Sequence, residues 1–197
     1  MRIGLGADHA GQSLKLDLAY HLAAAGHEVV DYGSTTTEPV DYPVYAVKLA
    51  RAVAAAEVER GIFVCGSGIG PSVAANKIAG VRAAVVSDEW SARDAVEHVD
   101  VNFLTLGERV IGAELAKSIV DAYLGAEVLQ DERHARRRGQ IAALEEIARE
   151  GFARHASEEE SRSRGSGMTT SDAGSSGALP SAGPTRAQQP KARSERG

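Results

Sequence analysis

From residue 3 to residue 149, short apolar runs alternate with stretches in which apolar side chains return every three or four positions. The runs at residues 3–6, 28–32, 61–65, 83–87 and 102–106 predict strands. Leu14, Leu18, Leu22 and Ala25 share one side of a helix predicted over residues 12–25. Pro43 suits the first turn of a helix that continues to about residue 56. A glycine-rich turn after residue 65 opens a helix through residue 76. Further helices are predicted over 88–97, 113–124 and 132–149. Strand, crossover helix and strand, repeated, predict an α/β fold: a three-layer α-β-α sandwich around a doubly wound, five-stranded parallel sheet of the Rossmann-like kind. Ligands of such folds sit outside the carboxyl ends of the strands. Chemistry is therefore expected after residue 6, after residue 64, and around the fifth strand.

Composition changes near His155. From there to Gly197 no aromatic residue occurs, and Met168 and Leu179 are the only large aliphatic side chains. Such a segment cannot bury enough apolar surface to offset its ordering entropy. The reading is one folded domain over residues 1–154 and a disordered Ser/Gly/Pro/Arg-rich tail over 155–197. A segment that folds on contact with a partner is the alternative.

The 197-residue chain is 43% apolar and 25% charged, the profile of a soluble domain with a real core. A net charge of -5 with no basic block in the domain argues against nucleic acid as a partner. A small phosphate is not excluded, because it needs only a few local cations and amides. The single cysteine rules out an intramolecular disulfide and suits a reducing compartment. No stretch approaches the roughly 18 apolar residues of a membrane span, and no signal peptide precedes the first strand. A cytoplasmic protein without membrane contact is expected.

Four groups of residues carry candidate chemistry. The first is Cys65-Gly66-Ser67-Gly68-Ile69-Gly70, between a buried strand and a helix. Its glycines let several N–H groups turn toward an anion, either a phosphate or an enediolate. A helix N-terminus beside a thiol favours the thiolate. The plainer reading of Cys65 is a buried structural cysteine. The dinucleotide fingerprint, the Walker A loop and the Gly-x-Ser-x-Gly elbow are all absent here, so nicotinamide, ATP and serine-hydrolase chemistry are not indicated.

The second group is Asp8-His9, able to bind hydroxyls or phosphate, or simply to cap the next helix. The third is His98, upstream of Asp100 and Asn102; a histidine can donate a proton at neutral pH, or serve as a structural helix-end residue. The fourth is Arg133-His134-Ala135-Arg136-Arg137. Arg133 and Arg137, four apart, share a helix face that is either a phosphate clamp or a solvated basic surface, and Arg109 could join them. The histidines lack metal-ligand spacing, and no metal is expected.

Taken in order, Gly6-Ala-Asp-His-Ala-Gly11, Asp41-Tyr-Pro43, the Cys65–Gly70 run with Ala74-Ala-Asn-Lys77, Glu97-His98 with Asp100 and Asn102, Gly107-Glu-Arg109-Val, and Arg133-His134 with Arg137 resemble the type B ribose-5-phosphate isomerase family. That family also contains galactose-6-phosphate and allose-6-phosphate isomerases. The resemblance spans residues 1–149. It implies an aldose–ketose isomerase of sugar phosphates that needs no cofactor, working as a homodimer or tetramer with sites shared between subunits. It implies that Cys65 moves a proton between C1 and C2 through a cis-enediolate. Ser67 would tune the thiol, and the amides of Gly66, Ser67, Gly68, Ile69 and Gly70 would hold the enediolate oxygen. His98, helped by Asp8, would open the furanose ring. His9, Arg133 and Arg137 would hold the phosphate with Arg109 nearby, and Asn102 would belong to the substrate-binding set.

Two departures bear on the substrate. Val99 stands where the ribose-phosphate enzymes usually carry Asn, and Asp131-Glu132 where they often carry Gly-Gly. The Glu-Arg-His variant is similar to members acting on four-carbon sugar phosphates such as erythrulose 4-phosphate. A pentose phosphate is the first expectation, with a tetrose or hexose phosphate next. A non-catalytic sugar-phosphate binder is the alternative of a different class, though a binder needs no base. A redox role for Cys65 lacks a resolving cysteine.

Overall fold

The computed structural model describes residues 1–165. The chain divides into one unit over Met1–Ala153 and a second over Arg154–Gly197. The first unit is built from β1 (Arg2–Ala7), a 3-10 turn (His9–Gly11), α1 (Gln12–Ala24), β2 (Glu28–Asp31), α2 (Tyr42–Ala54), β3 (Arg60–Cys65), α3 (Ile69–Ala75), β4 (Ala83–Val85), α4 (Glu89–Val99), β5 (Phe103–Gly107) and α5 (Ala113–Gly125). A last helix, α6, runs from Glu132 to Gly165.

The five strands form one sheet in the order β2-β1-β3-β5-β4, and every neighbouring pair is parallel. The connections explain the layering. α2 and α3 carry the chain one way along the sheet; α1 and α4 carry it back. A right-handed crossover puts opposite directions on opposite faces. Accordingly Leu14, Leu18 and Leu22 of α1 join Ala92 and Val96 of α4 and Ile119, Val120 and Tyr123 of α5 in one core. Ala46, Leu49 and Val53 of α2 pack with Phe63 and Phe103 on the other face. The expected three-layer sandwich is the architecture found.

β1, β3 and β5 are covered on both faces, which is why they read as unbroken apolar runs. Phe63, Phe103, Leu104 and Ile119 are fully buried. Each such side chain contributes roughly 1.5–3 kcal/mol by leaving water. This three-strand centre is the rigid base from which the loops of the site project.

Several boundaries differ from expectation. β4 is only three residues long and β5 begins at Phe103 rather than Asn102. The last helix, expected to stop near residue 149, continues to Gly165. Ala, Arg and Glu dominate its later turns and are good helix formers even without an apolar face to bury. Arg149 pairs with Glu146 at 2.9 Å along it. The remainder of the expected tail, 166–197, lies outside the described residues. Among the described residues no helix is long and apolar enough to cross a membrane.

Candidate active site

From β1 the chain moves outward to β2; from β3 it moves the opposite way. That divergence opens a crevice at the carboxyl ends of β1 and β3. Register brings the chemistry into it. Ala7 lies opposite Val64, and Cys65 opposite Gly107, so the loops leaving β1, β3 and β5 converge. Backbone bonds tie them: Asp8 N to Val64 O at 3.3 Å, Glu108 N to Cys65 O at 2.8 Å, and Arg109 N to Gly66 O at 3.1 Å.

Cys65 ends β3 and is 5% exposed. The amide of Gly68 donates to its Sγ at 3.0 Å. That bond requires the loop to double back, and Gly68 does so with φ at +79°. A side chain there would also strike Val85 Cγ2 at 2.6 Å. α3 has only seven residues, so the loop's own amides outweigh any helix dipole at this point. The hydroxyl of Ser67 turns toward the start of α3. It accepts from the Ile69 amide at 3.4 Å and makes no hydrogen bond to Cys65, so the donor on the sulfur is Gly68.

Asp8 is buried, and its Oδ1 accepts from the Ala10 amide at 2.9 Å. The capping reading is thus realised, while no hydrogen bond among the described residues takes Oδ2. The Val40 amide donates to His9 Nδ1 at 3.2 Å. Nδ1 is therefore the acceptor, and in the neutral ring the proton sits on Nε2. His9 borders a cavity of about 550 Å³ with Val40, Asp41 and Tyr45. The Arg109 guanidinium lies across Gly66, within 3.6 Å of where a Cβ would stand. A thiol, a buried carboxylate, a guanidinium and a run of amides therefore gather at the converging carboxyl ends of β1, β3 and β5, with the His9 cavity beside β1.

The other predicted residues form a second group at the opposite end of the sheet. His98 closes α4, and its Nδ1 meets Asp94 Oδ1 at 2.6 Å. The His98 and His134 rings stack with centroids 4.2 Å apart and planes 2° from parallel. His134 is buried, with Nδ1 2.5 Å from Asp131 Oδ2 and Nε2 3.1 Å from Arg133 Nη2. The His134 hydrogen bond holds the Asp131 carboxyl below its ordinary value. Arg133 and Arg137 are exposed on α6. Arg137 has no hydrogen bond or ion pair among the described residues.

Asn102 lies outside the loops of the crevice. Its Oδ1 accepts from Arg82 N at 2.8 Å and its Nδ2 donates to Gly80 O at 2.9 Å, at the amino end of β5. It braces the turn before β4.

Several positioning residues were not foreseen. Tyr42 packs its ring over Gly70, where a Cβ would lie 2.5 Å from Cζ. Buried Lys15 grips Asp31 at 2.9 Å and Ser34 O at 3.0 Å, and Gln12 also donates to Ser34 O. These bonds anchor the segment that carries Val40 to His9. Asp94 and Asp131 were equally missed, although their spacings of four to His98 and three to His134 carry the signal.

Comparison with known proteins identifies the family. A family model described as Ribose/Galactose Isomerase matches residues 3–141. Ribose-5-phosphate isomerase B of Escherichia coli is 48% identical over 145 residues, covering 74% of this chain and 97% of the relative. D-erythrulose-4-phosphate isomerase of Pectobacterium atrosepticum is 42% identical over 128 residues, covering 64% and 84%. The structure of Clostridium thermocellum ribose-5-phosphate isomerase B superposes with a TM-score of 0.73 at 49% identity, covering 75% of this chain and 99% of that one. The two departures at Val99 and Asp131-Glu132 therefore occur within a conventional framework, and the chain belongs to the ribose/galactose isomerase family.

Proposed function

We propose that this protein is a cytoplasmic aldose–ketose isomerase that interconverts ribose 5-phosphate and ribulose 5-phosphate. The observation that carries the reading is Cys65 Sγ at the sheet's divergence point, with the Gly68 amide at 3.0 Å and the glycine loop around it. The ribose-5-phosphate name of the 48% identical relative favours the pentose over the tetrose.

In the forward direction Cys65, as thiolate, removes the C2 proton of the open-chain aldose. The C2 electron pair becomes the enediolate double bond, and the C1 carbonyl pair moves onto O1. Loop amides from Gly66 to Gly70 offset that developing charge. Cys65 then returns the proton to C1, and O2 becomes the ketose carbonyl as its hydroxyl proton passes to O1. Asp8 binds sugar hydroxyls through its unengaged Oδ2. His9 donates from Nε2 to the phosphate, and Arg109, Arg133 and Arg137 supply charge. A dianionic group anchored away from the reacting carbons fixes the substrate in place. Ser67 and Asn102 are assigned to substrate binding.

The working unit is a homodimer. His98, Arg133 and Arg137 stand at the far end of the sheet from Cys65, so one chain does not complete the site. A second copy supplies them. The rim of the Cys65 loop supports this. Ile69, Val73, Val85 and Val110 surround the loop and are between 42% and 60% exposed. A contiguous apolar rim of this kind marks a surface that a partner covers.

The test is turnover on ribose 5-phosphate and on erythrulose 4-phosphate, without added metal, by wild type and Cys65→Ala. The expected result is preference for the pentose and loss of about 100-fold or more in the variant, with phosphate-ligand binding retained. Undiminished turnover by Cys65→Ala would overturn the assignment of the base. Preference for the tetrose would move the reading to the four-carbon sugar.

A further inference from the structure

The Asp94–His98–His134–Asp131 cluster holds more chemistry than one proton donor requires. Arg133 has only donors to offer, so its 3.1 Å contact makes His134 Nε2 an acceptor. The His134 proton then sits on Nδ1, shared with Asp131 at 2.5 Å. His134 is thus a neutral ring, fixed at both nitrogens and buried to 4% exposure. His98 lies flat against it and is 35% exposed along its side chain. Its Nδ1 faces Asp94 at 2.6 Å, and no hydrogen bond among the described residues takes its Nε2.

We propose that Asp94 is a positioning residue for opening the furanose ring, holding the His98 Nδ1 proton so that Nε2 is the nitrogen that delivers a proton to the ring oxygen. The inference rests on the isomerase reading and deepens it. Asp94 sits one helical turn before His98, at the spacing that brings two side chains together. The carboxylate accepts Nδ1–H, and the neutral face of His134 sets the plane of the ring. Both the rotation and the tilt of His98 are thereby fixed. The general acid is then aimed before substrate arrives.

In the step itself the C1–O4 bond of the hemiacetal breaks and its electron pair goes to O4. O4 takes the Nε2 proton of doubly protonated His98, which keeps its Nδ1 proton on Asp94 and is left as the neutral Nδ1–H ring. The hydroxyl proton on O1 leaves to a carboxylate or water as C1–O1 becomes a carbonyl. Protons balance, and no oxidant or further reactant is involved.

A split between two reactions tests this. Ribose 5-phosphate closes through its C4 hydroxyl and must be opened. Ribulose 5-phosphate carries its phosphate on the C5 oxygen and so cannot close a five-membered ring. Exchange of its C1 hydrogen with D2O needs only Cys65. Asp94→Ala, on a helix surface where Ala is well tolerated, is expected to lose about 10-fold or more in isomerisation of ribose 5-phosphate. Its C1 exchange on ribulose 5-phosphate, followed by proton NMR, should stay within about twofold of wild type. Equal loss of both reactions means a general structural role and overturns the proposal, as does unimpaired isomerisation. A wild-type protein that catalyses neither reaction overturns the isomerase reading, and this inference with it.

Discussion

Cys65 and His98 stand at opposite ends of one sheet. Cys65 pairs with Gly107 at the carboxyl end of β5, whereas His98 lies in the last turn of α4, which leads into the amino end of β5. The five residues of β5 separate those ends by about 13 Å at ~3.3 Å per residue. Two inactive variants should therefore rescue each other. Cys65→Ala and His98→Ala, each expected to fail alone on ribose 5-phosphate, should regain about a quarter of wild-type activity after mixing and subunit exchange, since roughly half the dimers are mixed and each has one intact site. No recovery despite exchange verified by mass spectrometry would mean that each chain works by itself.

Arg137 is exposed, unpaired among the described residues, and one helical turn from Arg133. A group that holds phosphate equally in substrate and transition state affects KM and leaves kcat nearly alone. Arg137→Ala should raise KM for ribose 5-phosphate by about 10-fold to 100-fold, the loss of one charge-assisted hydrogen bond. Steady-state kinetics decide it. An unchanged KM removes Arg137 from the phosphate site.

Gly68 and Gly26 both have positive φ, at +79° and +83°, but only Gly68 is crowded. Gly26→Ala should cost about 1–2 kcal/mol from backbone conformation alone. Gly68→Ala should cost about 1–3 kcal/mol more, because its Cβ would meet Val85 Cγ2 at 2.6 Å and Leu106 C at 3.2 Å. Urea unfolding of the two variants measures the difference. Gly68→Ala should also lose activity, since its amide would no longer reach Cys65 Sγ. Equal costs at the two positions would mean that the neighbours of Gly68 yield freely.

Tyr123 is fully buried, and its hydroxyl has no hydrogen-bond partner among the described residues. Burial pushes its ionisation far above the usual phenol value. Arg60 lies over the ring, 4.8 Å from the centroid. Tyr123→Phe keeps the ring and removes an orphaned polar group, so stability should stay level or rise by about 1 kcal/mol. A fall in thermal midpoint would reveal a partner for the hydroxyl.

These expectations draw on features of unequal legibility. The Cys65 loop was readable because all its actors lie within six positions and glycine spacing reports backbone shape directly. The sheet was readable because its three central strands are buried on both faces. Asn102 is ambiguous in sequence because a polar residue at a strand mouth looks the same whether it faces a ligand or a neighbouring backbone. The bond from Ile69 to Ser67 was not legible because adjacency to Cys65 does not tell which way the hydroxyl turns. Asp94 was passed over because its acidity is ordinary on a helix surface until His98 is seen stacked on His134. The end of α6 ran past the composition break because helix propensity and burial are separate forces, and only the second changes there.

The ends of the sheet order have a consequence for solution behaviour. β4 is three residues long, and β2 has four, closed by the exposed carboxylates Glu28 and Asp31. Arg2 and Lys15 hold those two acids in ion pairs. Short, charged edges present little free backbone for another strand to join. The protein can carry an apolar rim around its thiol without risking fibrils, because stickiness there is a matter of side chains and never of ladder hydrogen bonds. Concentrating it should yield discrete, closed oligomers that redissolve on dilution.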